Sequence, residues 1–176
     1  MILALDISTS ITGVTVLDYN GKVLLNEAWH FKRCKTFYEK VKLADDKIRE
    51  LHNNPDFRIE RVYVEESLQA FRPGYSSAKT LLTLAKFNGT LSWLVYKTFG
   101  IEVEYIGAST ARKQCGIKIP KGQKAKAVVL QHLLDNEPWF VVEYTKHGNP
   151  KSEYFDMADS FVIAKAGLLL CQQIKS

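Results

Sequence analysis

Four carboxylates stand where burial or repulsion makes a negative charge costly. Asp6 closes the apolar run Ile2-Leu-Ala-Leu, so its charge emerges among neighbours that shield it from water and calls for a compensating partner. Val62-Tyr-Val-Glu65-Glu66 repeats the arrangement at the end of a second apolar run. Successive strand residues face opposite ways, so only one of these two glutamates points with Asp6. Glu65, directly after the run, is the expected one, and Glu66 is its alternate. Asp156 and Asp159 lie three residues apart in a segment with helical spacing, which places like charges on one face, where they repel unless something positive lies between them.

Each position has a plainer explanation. Asp6 could hold the Ser8-Thr9-Ser10 turn, Glu65 could be a solvated strand end, and the two aspartates could complement a helix dipole. Taken together, however, acids from three separate elements are the donor set that oxygen-seeking Mg²⁺ requires. Two such ions about 4 Å apart can activate a water and stabilise the leaving 3′ oxygen of a phosphodiester. The expected cofactor is therefore Mg²⁺, as two ions, with Mn²⁺ as a substitute.

The remaining charge suits an anionic partner. Lys and Arg number 24 against 19 Asp and Glu, a formal net charge of +5, which is modest by itself. Its distribution says more: Arg112, Lys113, Lys118, Lys121, Lys124 and Lys126 follow one another without an intervening acid. Such a run is either a solvated face or a phosphate-binding surface. Cys34, Cys115 and Cys171 are odd in number, far apart and lack a Cys-x-x-Cys pair, so they read as reduced thiols. The start, Met1 to Asp6, lacks the basic leader of a signal peptide, and no stretch is long and apolar enough for a bilayer. The expectation is a cytoplasmic or other reducing compartment, with no membrane partner.

The elements that must position the acids follow from the apolar pattern. Ile2 to Asp6 and Thr12 to Leu17 read as neighbouring strands; Asp18-Tyr-Asn-Gly21 is a turn, and Lys22 to His30 a third strand. From about Thr36 to His52 the apolar residues recur at helical spacing until Asn53-Asn-Pro55 ends the pattern. Arg61 to Glu65 is a fourth strand, Ser76 to Thr98 a long helix, and Ile101 to Ile106 a fifth strand. Ser109 or Thr110 can cap a short helix. Lys124 to Leu134 and about Tyr154 to Ile174 are two more, whereas Asp135 to Lys151 has no regular pattern. The 176 residues suit one domain spanning 1–176, an α/β sandwich with a mixed sheet.

At this point the motifs show a resemblance. Leu3-Ala-Leu-Asp-Ile-Ser-Thr-Ser-Ile-Thr-Gly13, Val62-Tyr-Val-Glu-Glu66 and Asp156-Met-Ala-Asp-Ser-Phe-Val-Ile-Ala164 resemble, in order, the three acidic motifs of RuvC-type Holliday junction resolvases of the ribonuclease-H-like superfamily. Phe87-Asn-Gly-Thr90 and Gln131-His132 are weaker echoes, and the likeness in length and element order covers nearly the whole chain. It implies a ribonuclease-H-like mixed five-stranded sheet flanked by helices. It also implies a metal-dependent endodeoxyribonuclease that resolves four-way DNA junctions by paired cuts, with Asp6, Glu65, Asp156 and Asp159 as catalytic metal ligands. Lys113 and Lys124 would lie near the scissile phosphate or grip the backbone, within a DNA surface formed by the run from Arg112 to Lys126.

The resemblance further implies a homodimer paired through the long helix, with Leu81, Leu84, Leu91 and Trp93 as candidate contacts, since paired cuts need two sites about a two-fold axis. Where the family has a junction-contacting aromatic after the second acid, this chain has Leu68; Phe71 or Tyr75 could substitute. Three other readings compete, one of them a catalytically silent DNA-binding module, against which the complete acidic set argues. A ribonuclease H or another branched-DNA nuclease shares the fold, with Glu39 and Glu50 as its candidates for an acid on the first helix. The Asp6 to Gly13 hairpin also resembles that of sugar kinases and actin-like ATPases, but the chain is short for their paired domains.

Overall fold

A computed structural model describes residues 1–66 and 78–174. Three strands form an antiparallel meander: β1 (Ile2–Asp6), β2 (Ile11–Leu17) and β3 (Val23–His30). Asp18 Oδ1 accepts the N–H groups of Asn20 and Lys22 and closes the β2–β3 turn. Only Gly21 takes the positive φ, 85°, that the Asn-Gly pair led us to expect. Helix α1 (Phe37–Asn53) begins with a reciprocal cap in which Thr36 and Glu39 satisfy each other's backbone N–H groups, a gain of about 1 kcal/mol. Then come β4 (Arg61–Glu65), α2 (Ala78–Phe99), β5 (Val103–Ile106), α3 (Ala108–Gln114), α4 (Ala125–Asn136) and α5 (Glu153–Ile174).

The mixed five-stranded sheet has the order β3-β2-β1-β4-β5, with β4 parallel to both β1 and β5. β1 is its centre, which accounts for an apolar strand buried along its entire length. Alternation divides the core between the two faces. Leu3, Leu5, Val14, Val16, Val62 and Val64 face α1 and α2, while Ile2, Ala4, Leu17 and Tyr63 face α5, against which α3 and α4 lie.

Two close approaches seat α5 on the sheet. A Cβ at Gly13 would lie 1.9 Å from the Asp156 carbonyl oxygen, and one at Gly167 would lie 2.3 Å from the Tyr63 ring. Side chains at these positions would hold the helix away. The segment 137–152 is irregular, as its sequence suggests. It is held by edge-to-face contacts of Trp139 with Phe161 and of Phe140 with Tyr154, and by an ion pair of 2.7 Å between Glu137 and Lys165. Among the described residues, no helix is long and apolar enough to cross a membrane.

Candidate metal centre

Sheet register makes the first half of the site. Asp6 continues the Ile2, Ala4 alternation toward α5, and Glu65 continues that of Tyr63 one step beyond the paired Leu5 and Val64. The two carboxyls come within hydrogen-bonding reach of each other. Glu66 has the opposite parity, and its backbone N–H donates to the Ile106 carbonyl at 3.1 Å. Glu65 is therefore the partner of Asp6. Asn88, buried on α2, fixes the backbone there by donating to the Glu65 carbonyl at 3.0 Å.

Helix α5 contributes the second half. Its register is set by half-buried and buried polar groups beneath the first turns: Asn26 Nδ2 donates to the Met157 carbonyl at 3.0 Å and to Thr15 Oγ1 at 2.8 Å. Ser160 Oγ lies 2.8 Å from Thr15 Oγ1 and donates to the same Met157 carbonyl at 2.9 Å. With these bonds made, Asp156 and Asp159 face Asp6 across the Gly13 contact. Between them stands Lys126, from the first turn of α4. Its Nζ lies 2.6 Å from Asp156 Oδ1, 3.3 Å from Asp159 Oδ2 and 3.7 Å from Asp6 Oδ2.

The electrostatics follow from this crowding. Burial, then the charge of Glu65 and the hydrogen bond to it, raise the Asp6 carboxyl well above the usual range against the pull of Lys126. Burial also raises Glu65, opposed by its hydrogen bond to Asp6 and by the charges of Lys126 and Arg112. Asp159 is pushed to about 6 by burial and by Asp6. Burial would weaken the hold of Lys126 on its proton, but Asp6, Asp159 and Asp156 together outweigh it, so the ammonium is stabilised.

These residues fit a divalent cation. Asp6 Oδ2 is buried and accepts no hydrogen bond, a costly state for a carboxylate oxygen, and it faces a cluster that has already drawn in one positive charge. As they stand, no three carboxylate, imidazole or thiol side chains among the described residues converge tightly enough to hold an ion, and the Lys126 ammonium lies among the acids. Asp6, Glu65, Asp156 and Asp159 are the oxygen donors available to a hard cation.

The basic run is divided by the structure. Lys113, Lys118, Lys121 and Lys124 are exposed on α3, on the following loop and at the start of α4. Arg112 is half-buried and lines a narrow crevice with Glu65 and Asp159, and Lys126 turns into the acids. Phe71, Tyr75 and Leu68 lie outside the described residues. Of the candidate pairing residues, Leu91 is buried in the core, Leu81 and Leu84 are half-buried, and Trp93 is exposed with Leu82 and Tyr96. Sequence reasoning missed the place of Lys126 and the supporting roles of Asn26, Thr15, Asn88 and Ser160. The last three carried a usable signal, being polar residues inside otherwise apolar stripes.

By sequence, no family model and no curated protein matches the chain. By structure, it superposes on Thermus thermophilus RuvC, solved in complex with a Holliday junction substrate, with a TM-score of 0.66 and 18% identity over 98% of this chain and 94% of that one. The chain has the RuvC-type resolvase fold. RuvC solved alone gives a TM-score of 0.63 and 19% identity, covering 98% of this chain and 95% of that one. The yeast mitochondrial Holliday junction resolvase Ydc2 gives 0.57 and 14%, covering 99% and 80%. The RuvC-type fold is the ribonuclease-H-like arrangement expected from the motifs, with Asp6 and Glu65 on adjacent strands and the remaining acids on α5.

Proposed function

We propose that this chain is a single-domain, metal-dependent, structure-selective endodeoxyribonuclease that resolves four-way DNA junctions by paired phosphodiester hydrolysis. The observation that carries the proposal is the meeting of Asp6, Glu65, Asp156 and Asp159, from three distant parts of the sequence, around an unsatisfied buried oxygen. Exposed Lys113, Lys118, Lys121 and Lys124 nearby favour a polyanionic substrate, held through its phosphates. Junction DNA is chosen over other nucleic acids because RuvC and Ydc2, the solved proteins of like fold, are a junction-bound protein and a junction resolvase.

Mg²⁺ or Mn²⁺ held by the four acids supplies, when bound, the charge that activates a water and stabilises the leaving 3′ oxygen. The protein's own part is positional. The β1–β4 ladder holds Asp6 beside Glu65, the bonds to the Met157 carbonyl set the register of Asp156 and Asp159, and burial keeps competing water from the carboxylates. Arg112 adds positive charge beside Glu65. Two copies paired through the exposed α2 stripe of Leu82, Trp93 and Tyr96 present two such sites for paired cuts.

The test is incubation of the purified chain with labelled four-way junction, flap, duplex and RNA–DNA hybrid, with and without Mg²⁺. Symmetric nicking of the junction, dependent on metal and lost in Asp159→Asn while junction binding persists, is expected. Cutting confined to the RNA strand of the hybrid would move the chain to the ribonuclease H reading, and metal-independent cutting would remove the metal centre.

A further inference from the structure

Lys126 contradicts its own surroundings. It lies in the first turn of α4, which has no acidic residue and whose capping position, Lys124, makes no side-chain cap. A helix N-terminus is the positive end of the dipole and disfavours cations, and an exposed lysine at such a place ordinarily extends into solvent. Although its side chain stays 54% exposed, Nζ turns to three carboxylates on two other elements, at 2.6, 3.3 and 3.7 Å. The attraction of the cluster outweighs both the dipole and the loss of hydration. Divalent ions bind carboxylate oxygens at about 2.0–2.6 Å, so an ion held by these acids and this ammonium would compete for the same space with charges of the same sign.

We infer that Lys126 is the resident cation of the metal centre: its ammonium offsets part of the negative charge of Asp6, Asp156 and Asp159 before metal loading and is exchanged for, rather than added to, an incoming divalent ion. The inference rests on the metal-centre reading above. It makes Lys126 a positioning residue that keeps mutually repelling acids assembled before loading, at the cost of weaker metal binding. Its place in the basic run thus conceals a second use, distinct from contact with DNA.

Mn²⁺ binding, followed by the paramagnetic resonance of the free ion, and melting in a chelator test this without DNA or turnover. Lys126→Gln keeps the stem and a hydrogen-bond donor but removes the charge. It should bind Mn²⁺ about tenfold more tightly than the parent chain, about 1.4 kcal/mol, melt at a lower temperature in chelator, and gain more on Mn²⁺ addition. Lys126→Arg, which retains the charge and guards against misfolding of the neutral variant, should bind no more tightly than the parent. Lys124→Gln, an equal charge loss on the exposed surface, should change affinity by less than about twofold, because exposed charges are screened. Equal Mn²⁺ affinity in the parent and Lys126→Gln, or an equal gain in Lys124→Gln, overturns the exchange while leaving the nuclease proposal standing. Folded proteins that all fail to bind Mn²⁺ overturn both.

Discussion

Gly13→Ala tests whether the contact between β2 and α5 sets the site. Gly13 pairs with Asp6 across the β1–β2 ladder, and a Cβ there would lie 1.9 Å from the Asp156 carbonyl oxygen and 2.3 Å from its carbon. Ordinary contact begins near 3.4 Å, so the first turn of α5 must retreat by about 1.5 Å or the strand must bend, an overpacking that costs about 1–3 kcal/mol. Neither neighbour is the end of a flexible side chain. The retreat moves Asp156 and Asp159 away from Asp6 and Glu65, and a misplacement of about 1 Å in a catalytic constellation costs about 100-fold in rate. Junction cleavage under single-turnover conditions should therefore fall by about 100-fold or more, while fluorescence-detected junction binding changes little and the melting temperature drops by several degrees. Cleavage within about threefold of the parent rate, in a variant of unchanged melting temperature, would refute the idea that this contact positions the acids.

Three other outcomes follow from the same geometry. In chelator, Asp159 keeps its proton in the folded state up to about pH 6, against 3.8 for the unperturbed acid; the folded state binds more protons in that window, so stability falls as pH rises through it. Asp159→Asn should therefore gain on the parent between about pH 4 and 7, by up to about 3 kcal/mol, as read by urea unfolding, and a difference that stays flat with pH would sink this reasoning. Replacing Lys118, Lys121 and Lys124 together by Ala should weaken junction binding and lower the slope of log affinity against log salt by about 0.9 for each phosphate that these lysines neutralise; an unchanged slope would exclude them from the DNA surface. Trp93→Lys, at an exposed position, should convert a dimer to a folded monomer by light scattering, and an unaltered mass would move the pairing surface elsewhere.

What could be read from the chain was what local pattern controls. β1, β4 and α5 fall within a residue of their expected bounds because an unbroken apolar run or a long apolar helix leaves little choice of register. Strand alternation leaves one of Glu65 and Glu66 to join Asp6; Glu65 is favoured as the residue directly after the apolar run, and the β1–β4 register decides the parity. The start of α3 did not: the helix begins at Ala108 behind Gly107 with no side-chain cap, because β5 ends at Ile106 and leaves no linker in which Ser109 or Thr110 could serve. β5 itself starts at Val103 rather than Ile101, where its ladder with β4 begins. Lys126 was illegible for a different reason. In the sequence it is one lysine in a row of them, and its destination depends on acids 30 residues onward that only the packing of α4 against α5 brings within reach. The same is true of Asn26, whose partner Met157 lies 131 residues away.

The two halves of the acid cluster are moored to different elements, one in a helix layer and one in the sheet. Asn88 ties the backbone of Glu65 to α2, the helix that exposes Leu82, Trp93 and Tyr96, while Asn26 ties the first turns of α5 to the edge strand β3. A displacement of α2 thus bears on Glu65 through the buried Asn88 amide, among other contacts, and a displacement of the sheet margin bears on Asp156 and Asp159 through the half-buried Asn26 amide. Movement of α2 and distortion at the rim of the sheet therefore reach the acid cluster through different hydrogen bonds.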